Sequence, residues 1–179
     1  MTPLGMTSRF SRILELGANA AVILASAALI AVALRHWDPP GNRGGPPPWL
    51  RPGDSLANSK VPLKPGRANL LFVLQAGCRF CTSSAPALRE IAQMASRRGD
   101  VDILAILPQD AKTSQEYLEG LGLRLPVLQA SPHDLRVRGT PTVILSDGSG
   151  RVLSVWAGAL DENRGAEVSK SVAQIGGSK

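Results

Sequence analysis

From Leu16 to Leu34 the chain runs for 19 residues without a charge, and only Asn19 and Ser26 break the apolar run. A helix of that length, rising 1.5 Å per residue, just covers a hydrocarbon core of about 30 Å. The run is apolar on all faces, which suits lipid better than the side of a soluble core. It is flanked by Arg9, Arg12 and Glu15 before and by Arg35 and His36 after. The pattern predicts a transmembrane anchor over residues 16–36, preceded by a basic tail over 1–15. A cleaved signal peptide is the rival reading, with Ala31-Val32-Ala33 as a small-x-small cleavage site, but the run exceeds the usual apolar core of such peptides. Charge near the two ends is similar, so the placement of the large domain outside rests on the short basic tail staying inside.

From Trp37 to Pro65 the pattern is lost, and eight of the chain's 14 prolines fall there. Pro46-Pro47-Pro48 favours extended polyproline II and forbids regular helix. Residues 37–60 are expected to be a spacer, with Trp37 as an interfacial aromatic anchor and short extended stretches leading into a domain at 61–179.

That domain alternates strand and helix. Leu70 to Leu74 is a short continuous apolar run, as in a strand buried on both faces. Leu88, Ile91, Ala92 and Ala95 then recur at i, i+3, i+4 and i+7, and Arg97-Arg98-Gly99 closes that helix. Val101–Leu107 predicts a second buried strand, Ser114–Leu121 a helix and Pro126–Gln129 a short extended stretch. Asp147-Gly148-Ser149-Gly150 separates strands at Pro141–Ser146 and Arg151–Ala157 as a hairpin. A last helix from about Asp161 to Ile175 presents Val168, Val172 and Ile175 on one face.

Charge and composition narrow the chemistry. The net charge is +6, but aromatics are 4% of residues and the basic side chains are scattered, so a nucleic-acid partner is not expected. There are two cysteines, too few for a disulfide scaffold. They are also too few for a four-ligand zinc site, because His36 and His133 lie far from them. Cys78 and Cys81 stand three positions apart, where an apolar strand gives way to a helical pattern. At a helix start this spacing lets two sulfurs meet while the first stays exposed. Free N–H groups there stabilise a thiolate, and Arg79 adds positive charge. The expected chemistry is thiol–disulfide exchange, with Cys78 attacking and Cys81 resolving. No metal or organic cofactor is expected.

With these residues the chain resembles the thioredoxin superfamily, and within it the membrane-anchored TlpA/ResA-like thiol–disulfide oxidoreductases. The match is carried by Gly77-Cys78-Arg79-Phe80-Cys81 after a strand, by Pro86 five residues beyond Cys81, and by Gly139-Thr140-Pro141-Thr142 before an apolar strand. It spans roughly Val61 to Ile175. The resemblance implies a central mixed sheet flanked by helices and a cis Thr140–Pro141 bond facing Cys78. It also implies a substrate-binding surface of Arg79, Phe80, Thr140 and Pro141. Protein disulfides would be the substrates, and a membrane electron donor the source of reducing equivalents. The 60 positions from Cys81 to Pro141 imply an inserted element, at about Asp110 to Gln129.

Three positions depart from the family. Gly77 replaces an aromatic residue before the first cysteine, and Arg79-Phe80 differs from the usual Gly-Pro and Glu-Pro. Phe72 stands where thioredoxins carry a buried acid. These leave three functions open: a reductase, an oxidase or isomerase of the same fold, and a module whose cysteines bind a client or copper or zinc. His133 is expected at the surface or a cap. Arg136 and Arg138 suit either an acidic partner or a solvated basic patch, and Glu90 an exposed helix face.

Overall fold

The computed structural model describes Ile23, residues 25–32 and residues 49–175. The chain divides into two units, Met1–Pro46 and Pro47–Lys179. In the first, Ile23 and residues 25–32 are helical, and Ile23, Leu29, Ile30 and Val32 are exposed. No helix among the described residues is long and apolar enough to cross a membrane. Most of the span expected at residues 16–36, and the spacer up to Pro48, lie outside them.

The second unit is built on a mixed five-stranded sheet of order β3-β2-β1-β4-β5. Its strands are β1 (Ala68–Val73), β2 (Val101–Leu107), β3 (Val127–Gln129), β4 (Thr142–Ser146) and β5 (Val152–Ala157). β1 is central, parallel to β2 and antiparallel to β4; β3 runs parallel on β2, and β5 antiparallel on β4. The helices are α1 (Arg79–Ser83), α2 (Ala85–Ser96), α3 (Ala111–Gly120) and α4 (Glu162–Gln174), with a 3-10 turn at Pro132–Leu135. The mixed, helix-flanked sheet implied by the resemblance is present, and α3 with β3 fills the expected insertion.

Side chains alternate across a strand, so β1 feeds two cores. Leu70 and Phe72 face a cluster with Leu88, Ile91 and Ala95 of α2 and Val168 and Val172 of α4. Leu71 and Val73 face another, with Ile106, Ile144, Leu50, Leu56, Val61, Leu135 and Val137. Among the described residues, the cover on that second face is the chain before β1 together with the 3-10 turn, not a helix.

This moves the domain boundary. The compact unit begins at Pro47, so residues 47–60, expected to be spacer, belong to it. Leu50 and Leu56 are 6% and 2% exposed. Burying a leucine stabilises by about 1.5–3 kcal/mol, which offsets part of the entropy lost in ordering the strip. The backbone is tied too: the N–H groups of Gly53 and Leu56 donate to the carbonyls of Val152 and Gly150 at 2.8 Å each. Arg136 pairs with Asp54 at 3.1 Å, and Arg138 lies over the Trp49 ring at 5.5 Å. Both arginines, expected to suit either an acidic partner or a solvated basic patch, instead help fasten this strip.

Candidate active site

The site forms where β1 ends, at the carboxyl end of a central strand. Leu74 still bonds to β2, its N–H donating to the carbonyl of Ile106 at 2.9 Å. The chain then turns through Gly77 at φ 78°, a left-handed conformation that glycine adopts without a Cβ penalty and an aromatic residue would not. The turn is held from the neighbouring strand's loop: the Ala76 N–H donates to Oε1 of Gln109 at 3.3 Å. Gln109 was not singled out from the sequence, where it is an unremarkable polar residue after β2.

Cys78 is the N-cap of α1, and its sulfur accepts from the Cys81 N–H at 3.3 Å. α1 is one short turn. Pro86, at the second position of α2, has no N–H for the carbonyl of Thr82, so the helix cannot run on unbroken and steps at Ser84. Ser84 is fully buried and bolts that step: its hydroxyl donates to the Phe80 carbonyl at 2.7 Å and accepts from the Leu160 N–H at 2.9 Å.

The loop before β4 closes the other side. Thr140–Pro141 is cis. The Cys78 thiol donates to the Thr140 carbonyl at 3.4 Å. Pro141 is buried, and its carbonyl accepts from the Gly158 N–H at 2.8 Å. Four of the expected site residues, Cys78, Cys81, Thr140 and Pro141, are thus brought together. Phe80 is 46% exposed beside the thiol, with the Arg79 guanidinium 4.5 Å above its ring. His133 is exposed on the 3-10 turn, its N–H donating to the Ser131 hydroxyl at 3.2 Å, and Glu90 is exposed on α2.

The two thiols are electrostatically unlike. Burial alone would raise the Cys78 thiol. Hydrogen bonds with the side chains of Cys81 and Thr140, and with the backbone of Cys81 and Phe80, together outweigh it and hold Cys78 below its ordinary value of 9.0. These bonds, rather than the Arg79 charge expected to help, lead the lowering. Cys81 has no exposed surface; burial first, then its bond with Cys78, pushes it up to about 12. The outer sulfur is prepared to attack, and the inner one holds its proton.

Cys81 gives a test of this asymmetry through stability. An unfolded chain releases that proton near the ordinary value, whereas the native dithiol holds it to about 12. Over that interval the native state binds more protons, so stability is full below the unfolded value and is lost as pH rises. Cys78 has the opposite sign, its contribution being lost as pH falls through its native value. Urea unfolding of the reduced protein is expected to weaken more steeply above pH 9 than that of Cys81→Ala. The excess slope has a ceiling of about 1.4 kcal/mol per pH unit for one proton.

No protein-family model matches this chain, and no curated protein matches it. Solved structures do. A candidate protein disulfide isomerase from Bacteroides thetaiotaomicron is 14% identical at a TM-score of 0.53, over 62% of this chain and 74% of that one. StoA from Bacillus subtilis is 14% identical at a TM-score of 0.50, over 68% of this chain and 93% of that one. A thioredoxin-family thiol:disulfide interchange protein from Chlorobium tepidum is 21% identical at a TM-score of 0.49, over 60% and 80%. For the first two, at these identities, the likeness concerns the fold, which is thioredoxin-like.

Proposed function

We propose that this thioredoxin-like chain is a thiol–disulfide oxidoreductase of TlpA/ResA-like kind that exchanges disulfides with protein cysteines through Cys78 and Cys81. One observation carries the reading: an accessible thiol lowered below its ordinary value at a helix N-cap, one turn from a buried thiol raised to about 12. The Cys78 thiolate attacks a client disulfide; one client sulfur bonds to Cys78 and the other leaves as a thiolate and takes a proton. Cys81 then loses its proton and attacks the Cys78 sulfur. The internal disulfide forms, the second client thiolate departs, and two electrons have passed to the client. Arg79, Phe80 and Thr140 are the surface on which the client lies, with the buried Pro141 setting the loop beneath it.

In this reading the protein is a reductase held on the outer side of the cytoplasmic membrane by residues 16–36 and recharged by a membrane electron donor. The exposed Ile23, Leu29, Ile30 and Val32 on a helix support a lipid environment for that segment. A second reading, an oxidant, is favoured by the lowered Cys78 thiol, because a stabilised thiolate stabilises the reduced form. The reduction potential separates them: a value near about −270 mV supports the reductase, and one near about −120 mV the oxidant. The reading as a whole is tested by insulin-disulfide reduction with dithiothreitol as donor. The full chain should accelerate it, and no acceleration rejects exchange chemistry.

A further inference from the structure

Tyr117 of α3 is the chain's one tyrosine. Its side chain packs against the helix-side core that contains Cys81, with Cys78 at the edge of that core. Its hydroxyl is buried and completes no hydrogen bond of good geometry, although it lies close enough to Thr82 and Cys81 to interact with both. A phenol so placed ordinarily finds a partner, because a buried unpaired hydroxyl is costly. The groups acting on it are Thr82 and the two thiols. The Thr82 hydroxyl already donates to the Cys78 carbonyl at 3.3 Å.

Resting on the exchange reading above, we propose that Tyr117 serves the resolving step, its hydroxyl donating a hydrogen bond to the Cys81 sulfur as that sulfur gives up its proton. Once Cys78 is bound to the client, Cys81–SH must ionise inside the core before it can attack. Its proton passes to water, the Cys78–Cys81 bond forms, the Cys78–client bond breaks, and the client thiolate leaves and is protonated by water. A hydrogen bond held only by the charged form favours ionisation. Burial raises the phenol above its ordinary value, so Tyr117 stays protonated and remains a donor.

The other elements around Cys81 offer less. β1 brings Phe72 to the same core, and the turn after it the backbone of Gln75; α1 brings Cys78, and the loop before β4 brings Thr140. On α2, Arg89 and Glu90 are exposed, and Arg89 donates to the Leu121 carbonyl at 2.8 Å. Where a buried carboxylate is missing at Phe72, Tyr117 supplies a neutral donor instead.

Tyr117→Phe keeps the ring and removes the hydroxyl. The full-length reduced protein is mixed with 5,5′-dithiobis(2-nitrobenzoate), whose first thiolate is released by Cys78 attack and whose second is released by Cys81. In the variant the first phase should be unchanged and the second slowed roughly tenfold or more at pH 7, as for loss of a hydrogen bond to a charged group. The pH at which the second phase is half-maximal should move upward. Equal slowing of both phases, or an unchanged second phase beside a normal wild type, overturns the role of Tyr117 alone. A wild type with no second phase overturns the exchange reading together with it.

Discussion

Cys78→Ser is expected to lower insulin-disulfide reduction by roughly three orders of magnitude or more, as loss of a nucleophile does elsewhere. The serine hydroxyl keeps its proton throughout the neutral range, so the hydrogen bonds from the Cys81 N–H and the Thr140 side chain have no thiolate to stabilise. The fold should be indifferent to the change, because Cys78 lies at the edge of the core and an oxygen is smaller than a sulfur. Cys81→Ser should behave differently: the first attack survives and turnover stops at the mixed disulfide. Stopped-flow rates with each variant check both statements, and comparable first-step rates in the two would contradict the division of roles.

Phe72→Ala is expected to cost about 3–5 kcal/mol of stability, measured as the fall in unfolding free energy in urea. Phe72 is fully buried in the central strand, beside Ala105 of β2 and Val143 of β4, and alanine would leave a void beneath the site. Small domains hold only about 5–15 kcal/mol in total. The variant should therefore sit near the edge of folding, and a loss under about 1 kcal/mol would mean that the helix-side core is not packed around Phe72 as described.

The legible parts of the fold were those with unbroken patterns. β2 lies where its apolar run places it, and the last helix differs by one residue at each end because Asp161 caps its start, accepting from the Arg164 N–H at 2.8 Å, and Ile175 leaves the helix in an extended conformation. α3 starts three residues before the expected Ser114. Its signal is a cap and not a periodicity: Asp110 accepts from the Thr113 N–H at 3.0 Å, ahead of polar residues with no apolar face to count. Leu50 and Leu56 were hidden differently, as single leucines among prolines and glycines, and only the uncovered Leu71 and Val73 explain why that strip must fold back.

At the site, the Cys78–Cys81 spacing, Pro86 and Thr140–Pro141 could be found in the chain because each is a local motif. Gln109, Ser84 and Tyr117 could not, since each acts across 33 to 76 residues or through the core. Arg79 misled for a related reason: it is adjacent in sequence to Cys78, yet its guanidinium turns onto Phe80. Neighbours along the chain are not always neighbours of the sulfur.

The central claim is that Cys78 attacks and Cys81 resolves. It is tested most directly by incubating reduced Cys81→Ala and Cys78→Ala with a disulfide-bonded peptide and locating the adduct by mass spectrometry. The account predicts a stable mixed disulfide on Cys78 in the first variant and almost none on Cys81 in the second. Equal adducts on both cysteines, or an adduct on Cys81 alone, would contradict it.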